Sequence, residues 1–233
     1  MTMSFLDILI RPRPRRFLFL LISILLILIL NPFLEGFSGL RVVLEILFTL
    51  LLLAGAYAIS QKAKVFFFSL FLLIPAMSFH WMTYVQDTGV HAMVSELFAG
   101  AFFAYVAIII LASLFQETEV SMDLIMAAIC VYLLMAFFWS SAFSVLEYFQ
   151  PGSFQLSETT GNAFQDFTYF SFVTLTTLGY GDIVPLTPPA KTFSSIEAVM
   201  GQIYIATLVA RLVAIHTAQS MRRKNDDDDT SVS

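Results

Sequence analysis

The chain has 233 residues, of which 58% are hydrophobic and only 12% charged, with a mean hydropathy of +0.83; soluble domains lie nearer 45–50% apolar and about 25% charged. The net charge is −5, and the run Asp226 to Asp229 carries four of the acids, so the rest is close to balance and offers no broad basic face for nucleic acid. This composition describes an integral membrane protein, and the single cysteine, Cys130, excludes an intrachain disulfide.

Taken in chain order, Arg11, Arg13, Arg15 and Arg16 precede an apolar run that begins at Phe17. The run continues past Pro32 to Leu34 and no small-x-small cleavage pattern follows, so it reads as a retained first span and not as a secretory leader. Since about twenty apolar helical residues cover the ~30 Å hydrocarbon core, six segments qualify as spans: residues 17–34, 41–60, 65–84, 92–115, 122–148 and 190–217. Pro75 predicts a kink in the third, and Gln86-Asp87-Thr88-Gly89 predicts the turn that follows it. The N-terminal arginines, Lys62 and Lys64 after the second span, and Arg222 to Lys224 after the sixth fall on one side, which predicts that side, with both termini, to be cytoplasmic. Arg41 and Lys191 are minor exceptions. The 25 phenylalanines, including Phe66-Phe67-Phe68 and the Phe137-Phe138-Trp139 cluster, read as lipid-facing or interhelical packing.

The loop between the fifth and sixth spans turns polar over Gln150 to Ser153 and Ser157 to Asn162, and then carries a short apolar stretch from Ala163 to Thr174. Asn162 is a candidate cap for a helix there, and Asp166 lies near its first turn. About twelve residues make roughly 18 Å of helix, too short to cross, so the helix enters and stops with its partly negative carboxyl end pointing inward, which favours a cation. A glycine-rich segment follows: Thr176-Thr177-Leu178-Gly179-Tyr180-Gly181-Asp182. Irregular backbone at membrane depth is tolerated only when protein buries it or it lines an aqueous path. Gly179 and Gly181 adopt positive φ freely, and alternating such residues with ordinary ones lets successive carbonyls face one axis.

With its Thr174-Leu175-Thr176-Thr177-Leu178-Gly179-Tyr180-Gly181-Asp182 run between two spans, the chain resembles the potassium-channel pore family, whose TVGYG loops replace the hydration shell of K⁺ with carbonyl oxygens. The form it resembles is a prokaryotic tetrameric channel with a six-span subunit lacking a charged voltage sensor. The resemblance implies an all-α membrane protein of six transmembrane helices plus a reentrant pore helix and selectivity-filter loop, assembled as a four-fold tetramer. It further implies that the carbonyls of Thr177, Leu178, Gly179 and Tyr180, with the Thr177 hydroxyl, bind K⁺, that Thr176, Gly181 and Asp182 support the filter, and that Tyr180 points away from the ion and braces the loop against the short helix. Leu178 stands where valine is more usual, and Val173 stands where the family often has a glutamate six residues before the first filter glycine, so no acid pair forms with Asp182. Gly201, 20 residues after Gly181, is a candidate gate hinge; the alternative is a small residue that permits close helix packing. Gln202 and Arg211 are candidates for lining the cavity or inner mouth, Arg211 also for pairing with an acid across subunits.

The implied organisation is a cytoplasmic basic N-terminus at 1–16, a four-span peripheral domain at 17–120 that is voltage-sensor-like without the sensor charges, a pore domain at 121–217, and a short cytoplasmic acidic tail at 218–233. Sensor spans need several arginines, and the fourth span has no lysine or arginine, so little intrinsic voltage dependence is expected. Asp226 to Asp229 reads as a disordered, solvated tail, with divalent-ion binding as the sharper alternative. Glu45, Glu96, Glu147, Glu197, His80 and His91 lie in or near spans, where snorkelling to the interface is the cheaper explanation; Glu147 and Glu197 are also candidates to tether the loop. No cofactor is expected beyond the permeant K⁺, and the partners are a homotetramer and the lipid bilayer, with no nucleic acid and no soluble substrate. No nucleophile–base or metal constellation suggests an enzyme. The expectation is passive K⁺ flux across the plasma membrane. The alternatives are a weakly selective monovalent cation channel of the same fold, against which Tyr180 argues, and a potassium-uptake transporter subunit, against which single-copy Gly179 and Gly181 argue.

Overall fold

A computed structural model describes residues 16–34, 41–60, 63–85, 89–156 and 163–232. Lys62, the 86–88 part of the expected turn, the 157–162 polar stretch with Asn162, and Arg11 to Arg15 lie outside the described residues, as do the side chains of Asp226 to Asp229. Seven helices are described: α1 (Arg16–Leu34), α2 (Arg41–Ile59), α3 (Ala63–Val85), α4 (Gly89–Leu114), α5 (Met122–Phe149), the short α6 (Ala163–Leu175) and α7 (Pro188–Val232). A two-residue antiparallel ladder joins β1 (Phe154–Gln155) to β2 (Val184–Pro185), with Phe154 opposite Pro185.

Five of the helices, α2 to α5 and α7, are long and apolar enough to cross a membrane, while α1 has a shorter apolar window at Arg16–Asn31. Their uniform hydrophobicity comes with a clear inner face. In α1, Phe17, Leu20, Ile24 and Ile27 are buried at three- and four-residue spacing, while Phe19, Ile22 and Ile29 are exposed, as expected for a helix with protein on one side and lipid on the other. The buried stripe packs on α2 and α5, and α4 lies between α3 and α5. Gly100 lets α4 approach α5 closely, since a Cβ there would stand 3.0 Å from Ser141 Cβ. Ser121 caps α5, accepting the Leu124 N–H at 3.2 Å.

Several polar groups in the bundle do not snorkel. His80 Nε2 meets the Glu45 carboxylate, and Glu96 accepts from Ser141 at 2.7 Å. These side chains find partners within the bundle.

The last helix departs from the expected span-plus-tail. It continues unbroken for 45 residues to Val232, roughly 68 Å at 1.5 Å per residue, because no glycine or proline follows Gly201 to stop it. Most of its apolar surface is uncovered by the rest of the chain: Val199, Ile203, Val209 and Val213 are all exposed.

Candidate functional site: the glycine loop between α5 and α7

The 13 residues of α6 make about 20 Å of helix, and the helix ends at the glycine loop. An aromatic cluster holds it from behind. Trp139 and Phe143 from α5, Phe154 from β1, Phe167 and Phe170 from α6, and Ile183 are buried together, with Phe143 and Phe170 rings 5.1 Å apart edge-on. Such edge-to-face pairs add to the area they bury. The segment before α6 is fixed separately. The Glu147 carboxylate accepts the Gly152 N–H at 2.7 Å and the Phe154 N–H at 3.1 Å, so Glu147 tethers this turn as expected. The β1–β2 ladder, extended by Leu186 N–H to the Ser153 carbonyl at 2.8 Å, ties the turn to the strand leaving the loop. Two-residue ladders carry no sequence pattern that could have announced this one.

The loop itself alternates in backbone handedness. Thr177, Gly179 and Gly181 have φ of +59°, +59° and +82°, and the residues between them do not. Glycine makes the second and third inexpensive. Thr177 is a β-branched residue in the left-handed region, an uncommon placement that sequence reasoning missed, because the glycine rule does not select it. The amides of Leu178 and Gly179 both turn back to the Val173 carbonyl at the end of α6, at 2.9 and 3.3 Å. Among the described residues the carbonyls of Thr177, Leu178, Gly179 and Tyr180 accept no hydrogen bond. Four adjacent main-chain oxygens are thus unpaired on an exposed loop.

Of the residues singled out beforehand, the loop brings together Thr176, Thr177, Leu178, Gly179, Tyr180, Gly181 and Asp182, all exposed in the isolated chain. Tyr180 is 69% exposed in the isolated chain, so within one subunit it is not what joins the loop to the short helix. That role falls to Tyr169 on α6, whose hydroxyl donates to Asp182 Oδ2 at 2.6 Å. The Asp182 carboxyl is accordingly held below its ordinary range, chiefly by this bond and further by backbone N–H groups including that of Ile183. Thr176 closes the end of α6, its hydroxyl donating to the Phe172 carbonyl at 2.7 Å.

Beneath the loop, Gln202 is exposed and its amide nitrogen lies 3.5 Å from Thr177 Oγ1. Gly201 is buried against the foot of α6, where a Cβ would stand 2.4 Å from the Leu175 carbonyl oxygen. This is the close-packing alternative made concrete. Tyr132 on α5 donates to the same Leu175 carbonyl at 3.3 Å. Glu197, one turn before Gly201, does not reach the loop; it is fully buried and contacts Ser171 on α6.

Arg211 reaches back to the end of α4. Its guanidinium donates to the carbonyls of Phe115 at 2.7 Å, Glu117 at 2.9 Å and Leu114 at 3.3 Å, and it stacks 5.2 Å from the Phe115 ring. The last carbonyls of a helix lack intrahelical partners and carry partial negative charge, so the end of α4 is a natural acceptor for this cation.

A family model described as "Ion channel" matches residues 124–218, nearly all of α5, the loop, and α7 to just past the Arg211 contact. Two pore potassium channel c of Oryza sativa subsp. japonica is 41% identical over 64 residues, 28% of this chain and 14% of that protein. Two-pore potassium channel 4 of Arabidopsis thaliana is 42% identical over 60 residues, 26% of this chain and 21% of that protein. The matches thus span about one fifth or less of the length of these curated relatives. With its long apolar helices the chain has the character of a multi-pass membrane protein; over residues 124–218 it is similar to ion channels, and the proteins it resembles over the shorter stretches are potassium channels.

Proposed function

We propose that this chain is one subunit of a homotetrameric, K⁺-selective channel of the plasma membrane, with six spans and cytoplasmic termini. In this reading α1 to α4 are peripheral, α5 is the outer helix, α6 the pore helix and α7 the inner helix. The observation that carries it is the loop backbone: left-handed residues at 177, 179 and 181 alternate with ordinary ones while four consecutive carbonyls go unpaired. Left bare, such groups are costly; four copies around an axis make them a set of oxygen rings that replace the water of a dehydrating K⁺. The carbonyls of Thr177, Leu178, Gly179 and Tyr180 and the Thr177 hydroxyl are the ion sites, supported by Thr176, Gly181 and Asp182. Gln202 lines the cavity below. The carboxyl end of α6 adds a partial negative charge pointing at that cavity.

The uncovered apolar face of α7 and the exposed Tyr180 support assembly, since both are surfaces that a neighbouring subunit would bury. Flux is passive: ions shed water, occupy successive rings and displace one another, with no chemical step. Bending at Gly201 separates the inner helix from the Leu175 carbonyl, so in this reading the hinge and the foot of the filter are mechanically linked. The decisive experiment is purification, mass measurement of the oligomer, and K⁺ against Na⁺ flux in liposomes. A tetramer that passes K⁺ many-fold faster than Na⁺ is expected; a monomer, or equal passage of both ions, overturns the proposal.

A further inference from the structure

Glu197 on α7 has no solvent exposure. Its Oε1 is in hydrogen-bond contact with Ser171 Oγ on α6, and the same Oγ lies 2.7 Å from the Ala136 carbonyl on α5. Its Oε2 is buried and has no hydrogen-bond partner among the described residues. Among the described residues no lysine or arginine is in ion-pair contact with it.

Proton counting gives the direction of this chain of contacts. A serine hydroxyl has one hydrogen, and a carbonyl has none to give. If Ser171 donates to Ala136, the contact between Ser171 and Glu197 needs its hydrogen from Glu197, and only the neutral acid has one. If Ser171 instead donates to a carboxylate, two oxygens face each other across 2.7 Å on the Ala136 side with nothing between them. A bare carboxylate oxygen is then also left in a solvent-inaccessible site without a counter-charge among the described residues, the costliest form of buried polar group.

We infer that Glu197 is a neutral carboxylic acid that donates to Ser171, which in turn donates to the Ala136 carbonyl, and that this three-helix relay makes Glu197 a positioning residue for the filter. The inference rests on the channel reading for what is positioned, though not for the relay itself. Glu197 and Gly201 are four residues apart and share one face of α7. Through them the inner helix grips α6 at two points, Ser171 and the Leu175 carbonyl. Val173 lies between those points and receives the amides of Leu178 and Gly179. The height at which the lower carbonyls stand therefore follows from where α6 is held. Neutrality also leaves no fixed negative charge behind the ion path.

The full chain tests this with E197Q, E197L and S171A. Glutamine keeps a donor in nearly the same shape, and leucine removes it. E197Q is expected to retain K⁺ flux and K⁺-over-Na⁺ preference to within about twofold, and assembled E197L to lose tenfold or more, about the cost of one buried hydrogen bond left unmade. Infrared spectra of the wild-type protein at neutral pH are expected to contain a protonated-carboxyl C=O band that vanishes in E197Q and shifts in S171A. A wild-type-minus-E197Q difference showing only ionised-carboxylate bands overturns the relay, even if E197L fails to assemble. Undiminished flux and selectivity in assembled E197L overturn the positioning role. If wild-type protein shows no K⁺-selective flux, the channel reading falls, while the infrared comparison still decides the state of Glu197.

Discussion

The Tyr169 hydroxyl and the Asp182 carboxylate meet at 2.6 Å, joining the middle of the short helix to the residue that ends the glycine loop. This bond spans the loop from outside, whereas the Val173 carbonyl holds it from below. Its pH behaviour follows from the depressed Asp182 value. A carboxyl whose folded value lies under the unfolded one, about 3.9, contributes fully above that unfolded value and loses its contribution as pH falls through the folded one. Conduction should therefore be insensitive to external pH from about 5 upward and should decline only below about 4. In Y169F the decline should begin at higher pH. Flux titrated from the outer side of oriented liposomes checks both, and an identical acid limb in Y169F would remove this bond from the account.

Gly201 is the position least able to accept a side chain. An alanine Cβ would sit 2.4 Å from a main-chain oxygen, which cannot move aside without moving the end of α6. G201A should destabilise the protein by about 1–3 kcal/mol, the usual range for overpacking, and should reduce flux more than it reduces assembly. Thermal unfolding of the purified protein, read beside liposome flux, measures the two effects separately.

The positions of the helices were legible from sequence because lipid imposes a simple demand: about twenty apolar residues, ended by charge or proline. The helices α2 to α5 begin and end within three residues of the expected spans, and α6 ends one residue past its expected end. What stayed hidden depends on contacts between residues far apart. Tyr169 and Asp182 are 13 positions apart, and Arg211 lies 94 or more from its acceptors. Neither residue type at its position names the partner. Helix register gives the depth of Arg211 without its azimuth, so the contact with the end of α4 could not be read from it. The length of α7 was missed for a different reason, since acidic composition alone does not end a helix that has no glycine or proline to break it.

Replacing Arg211 tests the junction between α7 and the end of α4. R211A removes three contacts to main-chain oxygens. Because the side chain is only partly buried, water replaces much of what is lost, and a destabilisation of about 1 kcal/mol is expected. R211K keeps the charge without the planar fork that reaches several carbonyls at once, so it should resemble R211A more than wild type. Thermal unfolding gives the stability change; open probability in planar bilayers tells whether the junction also biases the gate.

Voltage should do little to this protein. The α4 helix contains no lysine or arginine, and each charge moved through the field is worth only about 2.3 kcal/mol per 100 mV. Single-channel recordings across ±100 mV should show an open probability that changes weakly. A steep dependence equivalent to several elementary charges per assembly would place mobile charge somewhere other than α4.

The Arg211 junction has an uncommon tolerance profile. All three of its hydrogen-bond acceptors are peptide oxygens, so exchanging the exposed side chain of Glu117 does not unhook the arginine. An insertion or deletion of one residue between Ile110 and Ser121 rotates those oxygens away from it. A mutational scan should therefore be permissive toward replacements at the exposed residues Gln116 to Glu119 and severe toward length changes.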